Sequence, residues 1–140
     1  MKLIDDHSGI EVLDRDACTR LLNASELGRL AVVLGGAPEI FPVNFRLDGD
    51  RIIIRSGDGS KVRAVGHTKA CFEIDGIDRV NKTGWSVIAK GRLEELDQYD
   101  ATAFAKAVAT GVEPWAGGDR PHVLCLHIEH LSGRRVGTVD

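Results

Sequence analysis

The sequence feature that most constrains the fold is a tight turn, Asp48-Gly49-Asp50, between two short stretches rich in β-branched and aromatic residues. Residues 39–47 precede this turn and residues 51–55 follow it. Hairpin turns of this kind join antiparallel neighbours, whereas parallel strands need a crossover of roughly a dozen residues or more. The turn therefore favours an antiparallel sheet and argues against an alternating, parallel α/β fold.

Apolar runs elsewhere in the chain predict further strands, separated by turn signals rich in glycine, proline and aspartate. The predicted strands are residues 29–34, 39–47, 51–55, 69–75, 84–96 and 122–131. Helices are predicted over residues 15–24 and 98–110, with Asp14 and Asp97 as N-caps, and one or two helical turns over residues 60–67. Six short antiparallel strands with two to three short helices are typical of a mainly β, barrel-like domain.

Some residues interrupt these runs. Pro42 cannot donate a hydrogen bond to a neighbouring strand, so it predicts an edge, a bulge or a ligand site. Gly91 predicts a bulge or a bend in its long strand. Residues 76–83 are predicted as a loop, and Ser132-Gly-Arg-Arg135 as the start of a tail.

Composition excludes several classes of protein. The 140 residues predict one domain, residues 1–140, and 18 basic against 21 acidic side chains give a net charge of −3. That balance argues against a nucleic-acid-binding protein. No apolar run reaches the roughly 20 residues of a membrane span, and two acids near the N-terminus argue against a signal peptide. Cys18, Cys71 and Cys125 lie far apart, so we expect reduced thiols and a cytoplasmic protein.

Residues 54–61 combine the groups that hold a phosphate. Arg55, Ser56, Ser60 and Lys61 offer a guanidinium, two hydroxyls and an ammonium, and Gly57 lets the backbone approach closely. The spacing matches neither a P-loop nor a dinucleotide-binding fingerprint. A solvated polar turn capped by Ser60 remains the alternative interpretation.

A second candidate segment is Phe41-Pro-Val-Asn-Phe45, where Pro42 and Asn44 interrupt an apolar strand. A planar heteroaromatic molecule can lie against such a strand, because asparagine presents both a donor and an acceptor. An edge strand with Asn44 facing water is the alternative. For Trp85 and Trp115 taken alone, the favoured interpretation is that each is a half-buried anchor.

The histidines near the C-terminus do not predict a metal site. On a regular strand His122 and His130 share one face and His127 takes the other. Eight residues of extended strand span roughly 26 Å, too far for His122 and His130 to share an ion. No order of serine, histidine and aspartate predicts a catalytic triad, so no residue is assigned a catalytic role.

The order and spacing of six motifs resemble those of the pyridoxamine 5'-phosphate oxidase-like flavoproteins, over about residues 12–136. These motifs are Phe41-Pro-Val-Asn-Phe45, Asp48-Gly-Asp50, Ile52-Ile-Ile-Arg-Ser56, Gly59-Ser-Lys61, Phe72-Glu-Ile-Asp75 and Gly84-Trp-Ser-Val87. The resemblance implies a six-stranded antiparallel split β-barrel that binds FMN. It also implies a homodimer with the cofactor at its interface, and oxidation or reduction of a small-molecule substrate.

The resemblance further implies roles for individual positions. Pro42-Val43-Asn44 would run along the flavin ring, and Ile54-Arg55-Ser56 would line the ring and the start of its phosphate tail. Ser60-Lys61 would hold the phosphate, and Trp85-Ser86-Val87 would reach the pyrimidine edge of the ring. The other subunit would supply Trp115 and one arginine, among Arg120, Arg134 and Arg135.

Other functions stay open on the same scaffold. Related split barrels bind deazaflavin F420 or haem, and haem would favour a ligand among His67, His122 and His130. A non-catalytic flavin-binding protein or interaction module is a third possibility. Arg120-Pro-His122 is similar to the pair with which the namesake oxidase holds its substrate, but here it runs directly into the last strand. The vitamin B6 reaction is therefore not assigned.

Overall fold

The computed structural model describes residues 3–5, 9–57, 68–96, 101–115 and 122–137. Eight strands and two helices are present in this part of the chain. In chain order they are β1 (Leu3–Asp5), β2 (Ile10–Leu13), α1 (Arg15–Asn23), β3 (Leu27–Leu34), β4 (Ala37–Asp48), β5 (Arg51–Ser56), β6 (Thr68–Asp78), β7 (Thr83–Leu96), α2 (Ala101–Ala109) and β8 (His122–Val136). The helical turns predicted over 60–67 and the cap predicted at Asp97 lie outside the described residues.

Six of the strands close into a ring. Its order is β8-β5-β4-β3-β6-β7, and β7 pairs again with β8. All pairings in the ring are antiparallel, and its six strands are those predicted from the sequence. The tight turn at Gly49 joins β4 to β5, with a φ of 62° that glycine adopts without strain. The predicted mainly β split-barrel fold is confirmed.

Strand β8 has two different partners along one of its edges. Its first half pairs with β5, with Ile52 opposite Leu126, and its last residues pair with β2, with Val12 opposite Arg134. Its other edge pairs with β7 throughout. Residues 132–135 were predicted to begin a tail, and that prediction is wrong. Strands β2 and β7 hydrogen-bond the segment from both sides, which local sequence does not reveal.

The loop predicted over residues 76–83 is shorter than expected. Strand β6 continues to Asp78 and β7 begins at Thr83, so only four residues form the turn. The carboxylate of Asp78 accepts hydrogen bonds from the backbone N–H groups of Val80 and Asn81, each at 3.1 Å. Those bonds, the Asn81 bond foremost, lower the pKa of Asp78. Because Asp78 holds the turn, the flanking residues extend the two strands.

A bulge lies at Gly91, as predicted, but its extra residue is Glu129 of β8 and not a residue of β7. The register between β7 and β8 shifts between Lys90 and Gly91, and a Cβ atom on Gly91 would lie 1.8 Å from the carbonyl oxygen of His127. The shift also changes which way later side chains of β8 point. Leu126 and Leu131 both contact the barrel core although they differ by five positions. His130 therefore lies on the outward face with His127, and the prediction that His130 shares a face with His122 is wrong.

Both helices cover parts of the barrel. The Asp14 carboxylate accepts a hydrogen bond from the Ala17 N–H at 2.8 Å and caps α1, as predicted. Cys18 of α1 is fully buried in the core, and a Cβ on Gly133 would lie 2.6 Å from its sulfur. Helix α2 covers the outside of β5 through a second apolar cluster. That cluster contains Ile53, Leu96, Ala107, Val112, Val123 and Cys125.

Strand β5 is thus buried on both sides, because Ile52 and Ile54 point into the barrel and Ile53 points toward α2. Phe45 and Phe72 fill the centre of the barrel with their rings edge to face, 4.7 Å between centroids. No helix among the residues described here is long and apolar enough to cross a membrane.

Candidate functional site

Several candidate residues lie together on the outer face of the barrel, the side of the sheet that points away from its core. On β4, Phe41, Val43 and Phe45 contact the core, so the alternate residues Pro42 and Asn44 point outward. Phe45 of β4 pairs with Ile54 of β5, and the two strands are antiparallel. The residue before Phe45, Asn44, is therefore a neighbour of the residue after Ile54, Arg55. The structure therefore brings the candidate residues of β4 and β5 to one side of the sheet.

Ser86 joins this outer face from the other side. It lies on β7 opposite Asp75 of β6 and opposite Arg134 of β8, and its neighbour Val87 is buried in the core. Arg29 of β3 lies between Ser86 and Pro42 on this face. It pairs with Pro42 of β4 on one side and with Glu73 of β6 on the other. The outer face thus carries an amide, a hydroxyl and three guanidinium groups on five strands.

Asn44 also holds the segment that follows α2. Its side-chain Oδ1 accepts a hydrogen bond from the backbone N–H of Trp115 at 2.7 Å, and its Nδ2 donates to the carbonyl oxygen of Glu26 at 3.2 Å. The Trp115 side chain is 67% exposed, and Val112 anchors the same segment in the second apolar cluster. The structure therefore places Trp115 beside Asn44 of its own chain. Its predicted approach to a partner's site stays a prediction.

A small cleft lies between Asn44 and Trp115. Glu26, Arg46 and Glu113 complete its walls, and its volume is about 50 Å³. That volume holds one or two water molecules and excludes a cofactor. A cofactor bound to the outer face therefore lies outside this cleft.

Arg29 is the main charged group at the centre of the outer face. Its Nε donates to Glu73 at 2.9 Å, and a terminal nitrogen lies 2.8 Å from Asp75. Burial raises the pKa of Glu73, and the neighbouring Asp75 adds to that effect, whereas Arg29 opposes it. Two carboxylates share one guanidinium here, so this part of the face is acidic.

Two hollows open along the outer face, and together they form a trough. The larger, of about 400 Å³, lies over β3, β6, β7 and β8 and includes Lys69, Lys90 and His130. The smaller, of about 280 Å³, includes Arg29, Ile40 and Glu73. Both hollows share Ala31 and Cys71, so they adjoin each other between the bulge at Gly91 and the acidic centre.

The remaining candidate residues do not present their side chains on the outer face. Ile54 and Val87 are 0% and 1% exposed in the core, so only their backbone can contact a ligand. Val43 also packs against the core. The Trp85 ring covers Gly76, so that a Cβ atom on Gly76 would lie 2.7 Å from the indole nitrogen.

Five further candidates remain, and the structure describes two of them. Ser56 pairs with His122 at the end of β5. Arg135 pairs with Trp85 and Glu11, so Arg134, and not Arg135, lies beside Ser86. Ser60, Lys61 and Arg120 lie outside the described residues.

The histidines of β8 pair with carboxylates of β7. Nε2 of His127 lies 2.8 Å from Oε1 of Glu94, and Nδ1 of His122 lies 3.0 Å from Oε1 of Glu95. No group of three metal-ligating side chains forms within the described part of the chain. These pairs tie β7 to β8 at the end that α2 covers.

Cys125 lies near His127 but cannot act as an activated nucleophile. Its sulfur is 3.7 Å from Nε2 of His127, the same nitrogen that contacts Glu94. A relay would need the two ring nitrogens to face different partners. Burial also raises the pKa of Cys125 to about 11, so the thiol stays protonated at neutral pH.

Sequence reasoning missed Arg29 and Cys71 as residues of this face. Both sit within runs predicted as half-buried strands, where a single charged or thiol side chain attracts no attention. The available signal was the period of two. With Leu30 and Phe72 in the core, Arg29 and Cys71 must point outward with Pro42.

The match to known families decides the classification. Residues 14–135 match the family model described as pyridoxamine 5'-phosphate oxidase. The chain belongs to the pyridoxamine 5'-phosphate oxidase family. The family resemblance inferred from the motif order is confirmed, and the match spans every strand of the ring except the last residue of β8.

Individual proteins are similar to this chain over most of their length. An FAD-binding protein from Mycobacterium smegmatis is 28% identical, with a TM-score of 0.73 over 89% of this chain and 98% of its own. A FAD-binding protein from Mesorhizobium loti is 25% identical, with a TM-score of 0.70 over 91% of this chain and 99% of its own. An uncharacterized protein of Mycobacterium tuberculosis is 28% identical, covering 89% of this chain and 84% of its own.

Proposed function

We propose that this protein binds a flavin nucleotide across its outer face and uses it to oxidise or reduce a small molecule. The observation that carries the proposal is the gathering of Pro42, Asn44, Arg55 and Ser86 on one side of the sheet. Two relatives of similar length are described as FAD-binding, which supports a flavin as the ligand. FMN is the smallest nucleotide that has the ring and phosphate these residues would contact.

The residues present fit such a group. An isoalloxazine ring has flat apolar faces and a polar edge of carbonyl and N–H groups, and its ribityl chain ends in a phosphate. Pro42 offers small apolar surface, Asn44 and Ser86 offer polar groups on flanking strands, and Arg55 offers a cation. The net charge of −3 makes a local cation necessary for holding a phosphate dianion.

Each of these side chains has a distinct task in the proposal. Arg55 pairs with the phosphate, and Ser86 donates to the carbonyl edge of the ring, which would stabilise the reduced form. Asn44 keeps the Trp115 segment in place at one end of the face. A bound flavin supplies hydride and single-electron transfer, so the chain itself needs no acid or base.

The proposal includes a second copy of this chain. Next to Ser86 the outer face carries an apolar patch, in which Ile77 and Val136 are 74% and 42% exposed and flank Gly84. Exposed apolar patches on soluble proteins mark surfaces that are covered by partners. Sedimentation should show a dimer, and Ile77→Glu should shift it to a monomer. A wild-type monomer at micromolar concentration contradicts this part of the proposal.

An absorption spectrum tests the cofactor. The purified protein is mixed in turn with FMN, FAD, F420 and haem, desalted, and scanned in the visible range. Retained flavin bands near one equivalent per chain are expected with FMN or FAD. Retention of only F420 or only haem would assign the fold another cofactor, and retention of none would reject the proposal.

A pair of variants tests the assigned site. Arg55→Ala should weaken FMN binding by about tenfold or more, because it removes a charge-assisted contact to the phosphate. Arg79→Ala, in the exposed turn between β6 and β7, serves as the matched control and should bind FMN as the wild type does. Equal affinity in both variants removes Arg55 from the site. Retained flavin without turnover by any reductant would instead favour a non-catalytic flavin carrier.

A further inference from the structure

We propose that the trough over β3, β6, β7 and β8 binds a flat, largely apolar molecule that carries one anionic group, with that group beside Lys90. The trough adjoins the face proposed for the flavin, so its occupant would be the substrate. Only this last assignment, as substrate, rests on the proposed function. Binding in the trough is testable without any flavin.

The size and lining of the larger hollow fit a small molecule. Its volume of about 400 Å³ falls in the range of known ligand pockets, roughly 300–1,000 Å³. Ala31, Pro38 and Cys71 form part of its lining, and Val33 is 59% exposed at its edge. These small and apolar groups present a flat surface with few polar atoms to desolvate.

The charges at the end near the bulge favour an anion. Nζ of Lys69 lies 2.7 Å from Oε1 of Glu129, so these two charges compensate each other. Lys90 makes no ion pair with any residue described in the structure, and it lies directly across from His130 on β8. An uncompensated ammonium beside an apolar hollow attracts a carboxylate or a similar group.

The opposite end of the trough excludes an anion. Glu73 and Asp75 share the single guanidinium of Arg29, which leaves that end with a net negative charge. A molecule with one anionic group therefore has a preferred direction in the trough. Its charge lies toward Lys90, and its apolar body extends over Cys71 toward the proposed flavin face.

Cys71 provides a direct reporter of occupancy. It lies in both hollows and is half-buried, whereas Cys18 and Cys125 are both 0% exposed. In the native protein a small uncharged thiol reagent such as iodoacetamide should modify Cys71 alone, and three thiols should react after unfolding. The probe ligand is 2-naphthoate, and the uncharged 2-naphthamide is its isostere.

The experiment measures how each ligand slows Cys71 labelling, in flavin-free protein and again with FMN. We expect 2-naphthoate to protect Cys71 and 2-naphthamide to protect it at least about tenfold more weakly. Lys90→Ala should weaken the binding of 2-naphthoate about tenfold and leave the binding of 2-naphthamide unchanged. Lys106→Ala, an exposed lysine on α2, is the matched control and should behave as the wild type does.

Three results would overturn the proposal. They are no protection by 2-naphthoate, equal protection by both compounds, and equal 2-naphthoate affinity in Lys90→Ala and the wild type. A fourth result would also overturn it: Cys71 that is inaccessible without ligand, or that becomes so as protein concentration rises, would show that a second copy covers the trough. Flavin retention is scored separately, so loss of FMN binding with intact Cys71 protection would reject the proposed function alone.

Discussion

The backbone N–H of Trp115 donates a hydrogen bond to Oδ1 of Asn44 at 2.7 Å, which joins two residues 71 positions apart. Asn44 lies in the middle of β4, whereas Trp115 follows α2. The amide group of Asn44 contacts Glu26 at the same time, so one side chain links three segments of the chain. These links fix where the loop leaves α2 relative to the outer face.

Removing the Asn44 amide should release Trp115. In Asn44→Ala the Trp115 N–H loses its acceptor, and one hydrogen bond stabilises by about 1 kcal/mol, so its amide exchange should accelerate about fivefold. Asn44→Asp keeps an acceptor oxygen, so its Trp115 amide should exchange more slowly than that of the alanine variant. Hydrogen exchange of the Trp115 amide, followed by NMR, measures both. Equal rates in Asn44→Ala and the wild type would show that the bond does not form.

The bulge should tolerate no side chain at Gly91. A Cβ there would lie 1.8 Å from the carbonyl oxygen of His127 and 2.8 Å from its carbonyl carbon, and both are backbone atoms that cannot turn away. Gly91→Ala should therefore destabilise the protein by more than about 4 kcal/mol, or prevent folding. Urea unfolding measures this change.

Gly35→Ala is the control for the Gly91 substitution. Gly35 has a φ of 57°, but a Cβ there would meet nothing within 4 Å, so only backbone strain of about 1 kcal/mol is expected. Comparable losses in the free energy of unfolding for Gly35→Ala and Gly91→Ala would contradict the close approach of β7 and β8.

Helix α1 should be coupled to β8 through Gly133 and Cys18. A Cβ on Gly133 would lie 2.6 Å from the Cys18 sulfur, so Gly133→Ala should push α1 away from the barrel. Cys18→Ala removes the sulfur and should itself destabilise by about 1–2 kcal/mol. In the double variant the clash is gone. Its loss of stability should therefore be about 1 kcal/mol smaller than the sum of the losses in the two single variants. Strict additivity in urea unfolding would show that the two residues are not in contact.

The cap of α1 should make stability depend on acidic pH. The Ala17 N–H lowers the pKa of Asp14 below its ordinary value of 3.8 in the folded protein. A lowered carboxyl pKa contributes stability that is fully present above the unfolded pKa and is lost as pH falls through the folded pKa. Urea unfolding at pH 7 and below pH 3.8 measures this contribution.

Asp14→Asn is the matched variant for the cap. It keeps an oxygen acceptor and does not titrate, so the wild type should lose its advantage over Asp14→Asn as the pH falls below 3.8. A constant difference between the two proteins across this range would mean that the Asp14 carboxylate does not stabilise α1.

Local sequence was sufficient for the parts of the fold that depend on neighbours in the chain. Asp48-Gly49-Asp50 specified its hairpin, Asp14 specified the start of α1, and Gly91 specified the bulge. In each case the required backbone conformation favours particular residue types. That is why the six strands of the ring and their antiparallel pairing were predicted correctly.

The rest depended on contacts between distant segments. Strand β2 and the end of β8 form because each supplies the other's hydrogen-bond partners, with Glu11 opposite Arg135. The face of His130 changed because β8 has an extra residue, Glu129, opposite Lys90 and Gly91 of β7. The ion pairs of Arg29 with Glu73 and Asp75 form because β6 lies beside β3. Pattern and propensity carry no information about such pairings.

The position of β8 in the chain has a consequence for synthesis. It is the last described element to leave the ribosome, yet it borders β5, β7 and β2. Until residues 122–136 emerge, β5 and β7 each present an open row of backbone donors and acceptors, which recruits other chains. A nascent chain that stalls before His122 would therefore aggregate instead of folding, and slow translation of this last stretch would lengthen the exposure.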